Sequence, residues 1–157
     1  MITTYRYGGE REVEKEGKRA TVQVLPRAVL AHVGPFIQVA ITHPHVVQEQ
    51  LKAQNRDNPT VQVKALIDTG ASNSAIIPQV AEKLHLVQTG FQKVASVHDE
   101  QDRPVYYGFI IFPWGSGKEI PLVTCALKNF DCLLGRDILM HWHLTYHGTD
   151  GSIVICD

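Results

Sequence analysis

The strongest constraint on the fold is a succession of short Val- and Ile-rich runs, each cut off within a few residues by proline, glycine or asparagine. Thr21–Leu25, Ala28–Val33, Phe36–Thr42 and Val61–Ile67 read as β segments, separated by Pro26, Gly34–Pro35 and Asn58–Pro59. Runs rich in β-branched residues and bounded in this way fit pleated strands and leave little room for long helices. Phe91–Val97, Val105–Pro113 and Glu119–Leu127 read the same way, with the turn-rich tract His98–Arg103 and a turn at Trp114–Gly117 between them. Trp142–Tyr146 and Ser152–Cys156 flank His147–Gly151 as a hairpin. Helical spacing is confined to Pro44–Asn55, Pro78–Leu84 and a segment running from near Arg136 to about Trp142. The expectation is a mainly β chain with two or three short helices.

The chain's 157 residues fit one ordinary domain. Residues 1–20 interleave basic and acidic groups with few apolar anchors, which predicts a charged arm or hairpin turning at Gly17, followed by a single domain over 21–157. Hydrophobic residues at 44% and charged residues at 20% exclude a disordered class. A formal charge of −1 leaves no basic excess to neutralise a phosphate backbone, so nucleic acid is not an expected partner. The most apolar stretch, Ala28–Ile41, is interrupted by His32, Pro35 and Gln38 and falls short of the ~18 residues that span a bilayer. No membrane partner is expected. Cys125, Cys132 and Cys156 are an odd number behind a polar N-terminal stretch, which predicts reduced thiols and a cytoplasmic location.

Chemistry concentrates in Ala65–Leu66–Ile67–Asp68–Thr69–Gly70–Ala71–Ser72, where an acidic side chain follows a buried strand and precedes a tight turn. A strand end holds a carboxylate rigidly, and Gly70 lets its backbone amide approach Asp68 and donate to it. The alternative is an ordinary strand-to-turn junction, because Asp–(Thr/Ser)–Gly arises by chance in roughly 5–10% of chains this long. Context separates the two. Leu133–Leu134–Gly135–Arg136–Asp137–Ile138–Leu139 lies downstream, an apolar pair leading through Gly–Arg–Asp into a helix.

Together these segments resemble the retropepsin-like aspartic proteases over about residues 27–145. The resemblance implies a closed β-barrel-type acid protease fold and a catalytic Asp68, with Thr69 bracing two active-site loops and Gly70 presenting backbone to substrate. Ala71 and Ser72 complete the loop. Leu133, Leu134 and Gly135 would support it from behind, and Arg136 would tie the last helix to it. A flap would lie around Ala95–Tyr106, with its tip near His98–Arg103 and with Val97, His98, Asp99 and Glu100 among its residues. Two features depart from the retroviral pattern: Ser72 stands where an acidic residue usually pairs with the arginine, and the flap tract lacks glycines. The family uses two carboxylates sharing one proton, and this chain has a single Asp–Thr–Gly. The resemblance therefore implies a two-fold homodimer acting on an extended peptide or protein, with no cofactor. A non-catalytic dimerisation or peptide-binding module on the same fold is the rival reading.

His43, His45, His141, His143 and His147 invite a metal, since the two His–X–His pairs 43/45 and 141/143 could supply four imidazoles. No paired cysteine motif accompanies them, so the expectation is surface histidines and no metal. Eight histidines would nonetheless make the chain cationic in acid and add repulsion between paired subunits.

Overall fold

The computed structural model describes residues 1–15, 18–95 and 100–157. In chain order the elements are β1 (Ile2–Arg6), β2 (Gly9–Lys15), β3 (Lys18–Val24), α1 (Pro26–Val33), β4 (Phe36–Thr42), α2 (His45–Ala53), β5 (Thr60–Ile67), β6 (Ala75–Ile76), α3 (Pro78–Leu84), β7 (Gln88–Ala95), β8 (Glu100–Ile111), β9 (Gly117–Thr124), β10 (Cys132–Leu134), α4 (Arg136–Leu139), β11 (His143–His147) and β12 (Ser152–Cys156). The mainly β expectation holds. By packing, the chain divides into one unit of Met1–Pro35 with His141–Asp157 and another of Phe36–Met140.

In the first unit β1, β12 and β11 form an antiparallel sheet in that order, with Ile2 opposite Cys156 and His147 opposite Ser152. Alternation along β12 sends Ile153 and Ile155 to a buried face, and the Tyr146 hydroxyl donates to the Leu30 carbonyl at 3.3 Å. Ile2–Arg6, expected as part of a solvated arm, is thus an outer strand of a sheet. β2 and β3 pair separately from Gly9–Val24 to Lys15–Lys18, and Glu16 and Gly17, where the turn was expected, lie outside the described residues. Ala28–Val33 is helix, where its apolar run predicts strand. Pro26 at the first helical position and Gly34 just past the end bracket α1, and these are helix signals that a short apolar run cannot override. Four helices are therefore found among the described residues.

The second unit is a seven-stranded sheet in the order β4-β5-β10-β6-β9-β8-β7, and β4 makes a further antiparallel pairing with β8 from Ala40–Ile111 to Thr42–Phe109. Strict alternation in β5 buries Val63, Ala65 and Ile67. Ile41, Ile76, Leu84, Ile110, Leu122 and Leu134 are fully buried in this unit. α2 and α3 fall where their spacing predicts, and α4 is shorter than expected, ending at Leu139. The three cysteines are unpaired, and burial pushes the Cys132 thiol up into the fully protonated, unreactive form.

His43 and His45 do not share a strand face as their spacing suggests, because β4 stops at Thr42 and α2 begins at His45. His45 is exposed, with its backbone N–H and its ring Nδ1 both directed to Glu119, whereas His43 is buried. The His43 Nδ1 has no hydrogen-bond partner among the described residues. Burial pushes the His43 pKa down, and His85 adds to the shift. In the unfolded chain this imidazole takes up a proton near pH 6.5, while in the fold it stays neutral to lower pH. The unfolded state then binds more protons, so stability falls as pH drops below about 6.5. Urea midpoints at pH 7.5 and 5.5 should show this fall, and His43→Gln should flatten it.

Candidate active site

Asp68 emerges from the C-terminal end of β5, and its position is set by a neighbour far away in sequence. β10 lies parallel to β5 with Leu133 beside Leu66 and Leu134 beside Ile67, and the Asp68 N–H donates to the Leu134 carbonyl at 3.0 Å. The two strands therefore end together. One continues into Asp68–Thr69–Gly70, the other into Gly135–Arg136–Asp137, and the two candidate motifs of the sequence become adjacent turns.

The Asp68 loop is held from within and from without. Its Oδ1 accepts the Gly70 N–H at 2.8 Å, the contact that the small residue at 70 was expected to permit. A Cβ on residue 70 would sit 3.1 Å from that oxygen. Asp68 is half-buried, and no ion pair reaches it among the described residues. From outside, Arg136 Nη1 donates to the carbonyls of Thr69 and Gly70, each at 2.9 Å, and Nη2 donates to the Ser72 hydroxyl at 2.7 Å. The Arg136 N–H donates to the Ala71 carbonyl at 2.9 Å. Ser72 thus receives the guanidinium as a neutral acceptor in place of an acidic one. The planar fork of arginine reaches three oxygens of one loop at once.

Beneath this loop lies a polar knot with no signal in the sequence beyond the Asp of Gly–Arg–Asp. Asp137 accepts from the Ser74 amide at 2.8 Å, the Ser74 hydroxyl at 2.7 Å and the Ile138 amide at 2.9 Å. Ser74 is fully buried, and its hydroxyl also accepts the Gly135 N–H at 3.0 Å. Buried polar atoms satisfied in this way stabilise one loop geometry over others. Gly135 is required by close approach, since a Cβ there would lie 2.6 Å from the Asn73 carbonyl carbon.

Leu134 is fully buried, and Leu133 packs beside a cluster of Ala75, Val105 and Val123. A cavity of about 390 Å³ opens next to the loop, bounded by Ala71, Asn73, Gln92, Val94, Val123 and Leu133. Gln92 on β7 donates to the Asn73 side chain at 3.0 Å and so links that strand to the loop, a contact without a sequence signal. A larger groove of about 510 Å³ runs beside α2 between His45 and Asn58 and holds none of the predicted site residues.

β7 and β8 form the hairpin in which the flap was expected. Val97, His98 and Asp99 lie outside the described residues, and Glu100 opens β8 opposite Ala95. The turn does not extend through His98–Arg103: Asp102 pairs with Lys93 and Arg103 with Gln92 in regular register. An opposite-charge cross-strand pair, Lys93 with Asp102, is formed in strand where Asp102 reads as a turn former.

Two substitutions test the knot by denaturant unfolding. Ser74→Ala leaves the Gly135 N–H without its acceptor and removes one of the three hydrogen bonds to Asp137, and should cost about 1–3 kcal/mol. Gly135→Ala forces backbone apart and should cost at least as much, about 1–3 kcal/mol or more. A loss below about 0.5 kcal/mol in both would show that the knot does not support the loop.

No family model matches the chain, and no curated protein matches it. Among solved structures it is similar to a retropepsin-like aspartic protease from Rickettsia conorii, at 15% identity over 99% of this chain and 94% of that one, with a TM-score of 0.50. It is also similar to the simian foamy virus (mac) protease, at 23% identity over 50% of this chain and 81% of that one, with a TM-score of 0.38. With two loop motifs meeting at the ends of parallel β5 and β10, and with the first likeness spanning nearly the whole chain, the protein has a retropepsin-like fold.

Proposed function

We propose that this chain is an aspartic endopeptidase that acts as a homodimer, with one Asp68 from each subunit in a shared site. The observation that carries the reading is the Asp68 carboxylate itself, fixed at a strand end by an amide and by Arg136 through its loop, with no cation to neutralise it among the described residues. A carboxylate held in this way is suited to meet a second carboxylate and a water. The likeness in fold to a retropepsin-like aspartic protease supports the same activity. The pairing of β4 with both β5 and β8 supports a closed, barrel-type sheet.

In this reading the pair shares one proton, because two adjacent carboxylates cannot both ionise. The ionised member takes a proton from the water, whose oxygen attacks the peptide carbonyl carbon, and the protonated member gives its proton to the carbonyl oxygen. Collapse of the tetrahedral intermediate releases the amine and the acid. Thr69 would brace one loop against its symmetry mate. An extended peptide would lie as an added strand between the β7–β8 hairpin and the floor formed by Gly70–Ser72, its main chain giving affinity and its side chains selectivity. Leu133, Leu134, Gly135 and Arg136 would maintain the loop, and no cofactor takes part. No helix among the described residues is long and apolar enough to cross a membrane. The unpaired thiols support a cytoplasmic setting.

Asp68→Asn should abolish cleavage of a peptide library while leaving the circular dichroism spectrum unchanged, since the amide is nearly isosteric but cannot share the proton. Unchanged turnover in that variant would remove the protease reading, and peptide binding without cleavage by the unmodified chain would favour the non-catalytic module. Specific activity should also fall on dilution through the dimer dissociation range, because mass action governs a site built from two chains.

A further inference from the structure

The cavity of about 390 Å³ beside the Asp68 loop is apolar at its base, where Ala75, Val123 and Leu133 meet, and polar at its rim. Strand register determines what else faces it. Gln92 and Val94 of β7 both bound the cavity, and the β8 residue directly opposite Gln92 is Arg103. Directly opposed residues of an antiparallel pair share a face, with Cβ atoms about 4.5–5.5 Å apart. Two residues along β8 on that same face, Val105 is buried against Ala75 and Val123. Val105 lies opposite Val123 of β9, and the same register carried two residues further brings Arg103 beside Cys125, which also lines the cavity. The half-buried Arg103 therefore stands on the cavity side of the β7–β8 hairpin.

Its charge has no counter-ion there. Among the described residues no carboxylate forms an ion pair with Arg103, and none lines the cavity. Asp102, next in sequence, alternates to the opposite face of the hairpin and lies across from Lys93. The Cys125 thiol does not serve either: burial pushes its pKa up, and the opposing pull of Arg103 is the smaller effect. The uncharged groups of the rim add donors. Asn73 Oδ1 accepts from Gln92, which leaves the Asn73 side chain its NH2. The Ser72 oxygen accepts from Arg136, so the hydroxyl proton is free to be given. Gln92 keeps one neutral acceptor, Oε1, but hydrogen bonds from a charged donor are roughly twice as strong as neutral ones.

We propose that this cavity takes an acidic side chain of the peptide, with Arg103 as the residue that sets the preference. The guanidinium receives the carboxylate, and the apolar base receives the methylenes that lead to it. The inference rests on the proposed peptide-cleaving site and names the peptides which that site prefers. Glutamate supplies the charge that Arg103 lacks, in a half-buried setting where salt screens the pair less than in open water. Glutamine keeps the shape and loses the charge, while lysine meets a like charge and is rejected.

The test immobilises the full chain carrying Asp68→Asn, which should hold peptides without cutting them, and sequences what it retains from a random octapeptide library. One position should be enriched in Glu and Asp. A retained peptide should bind about tenfold more tightly than the same peptide with glutamine at that position, and the ratio should shrink as salt rises. Arg103→Lys should keep the preference, and Arg103→Glu should move it to Lys and Arg at the same position. Each readout is a ratio within one variant, so a general loss of binding does not imitate it. Should Arg103→Glu fail to fold, Arg103→Gln is the milder change and should bring the ratio below about twofold. Retained peptides with no acidic position, or a ratio that Arg103→Gln leaves at about tenfold, would overturn the proposal. Cleavage of library members by the unmodified chain with no charge preference would remove the acidic subsite and leave the protease. Acid-selective retention that Arg103→Gln abolishes, beside an unmodified chain that cuts nothing, would remove the protease and leave the subsite. A chain that neither retains nor cleaves any peptide would overturn both.

Discussion

The parallel register of β10 beside β5 is the constraint on which the candidate site depends. Leu134 opposite Ile67, closed by the Asp68 N–H to the Leu134 carbonyl, makes two segments far apart in sequence leave the sheet at the same level. A slip of one residue in β5 would invert its faces, placing Ile67 in solvent and turning Asp68 into the core, and a slip in β10 would expose Leu134 instead. Burial of these aliphatic side chains therefore fixes where the carboxylate stands. Much of the work of positioning the candidate site is done by hydrophobic packing, and the polar contacts refine it.

That refinement has two layers with different physical character. Arg136 is exposed, and its three contacts to the Thr69–Ser72 loop are screened by water, so their value lies in geometry more than in net stability. The Ser74–Asp137 layer lies deeper. There each hydroxyl and amide has an assigned partner, and leaving one unmade costs more than the bond contributes. Replacing an acidic residue by Ser72 at the arginine fits this division. The outer layer tolerates loss of an ion pair because the loop's position is already determined from beneath.

Strand alternation made the second unit largely readable from sequence: β4 and β5 lie where Val and Ile periodicity puts them, and α2 and α3 follow their proline starts. What failed was local ambiguity. Ala28–Val33 satisfies strand and helix patterns alike over so short a run, and Ile2–Arg6 has too few apolar residues to signal a strand until β12 is present to pair with it. Asp68 and Gly135–Arg136 could be picked out because tight backbone geometry demands particular residue types. Ser74, Asn73 and Gln92 could not, because serine, asparagine and glutamine satisfy hydrogen bonds at many surface positions and only tertiary contact gives these three a task.

The histidines connect fold, assembly and chemistry through one variable. Two carboxylates sharing a proton work between their two macroscopic pKa values, which favours the acid side of neutral. His43 opposes acid from inside the second unit, where burial keeps the imidazole neutral at a cost to stability. Positive charge gained on both copies in acid would oppose it at the proposed subunit contact. These two effects differ in their dependence on conditions. Dimer dissociation is reversed by raising protein concentration and softened by salt that screens like charges, whereas a buried, unprotonated His43 responds to neither. An acid limit of activity that moves with concentration and salt therefore belongs to the interface, and one that stays fixed belongs to the fold or to the carboxylate pair.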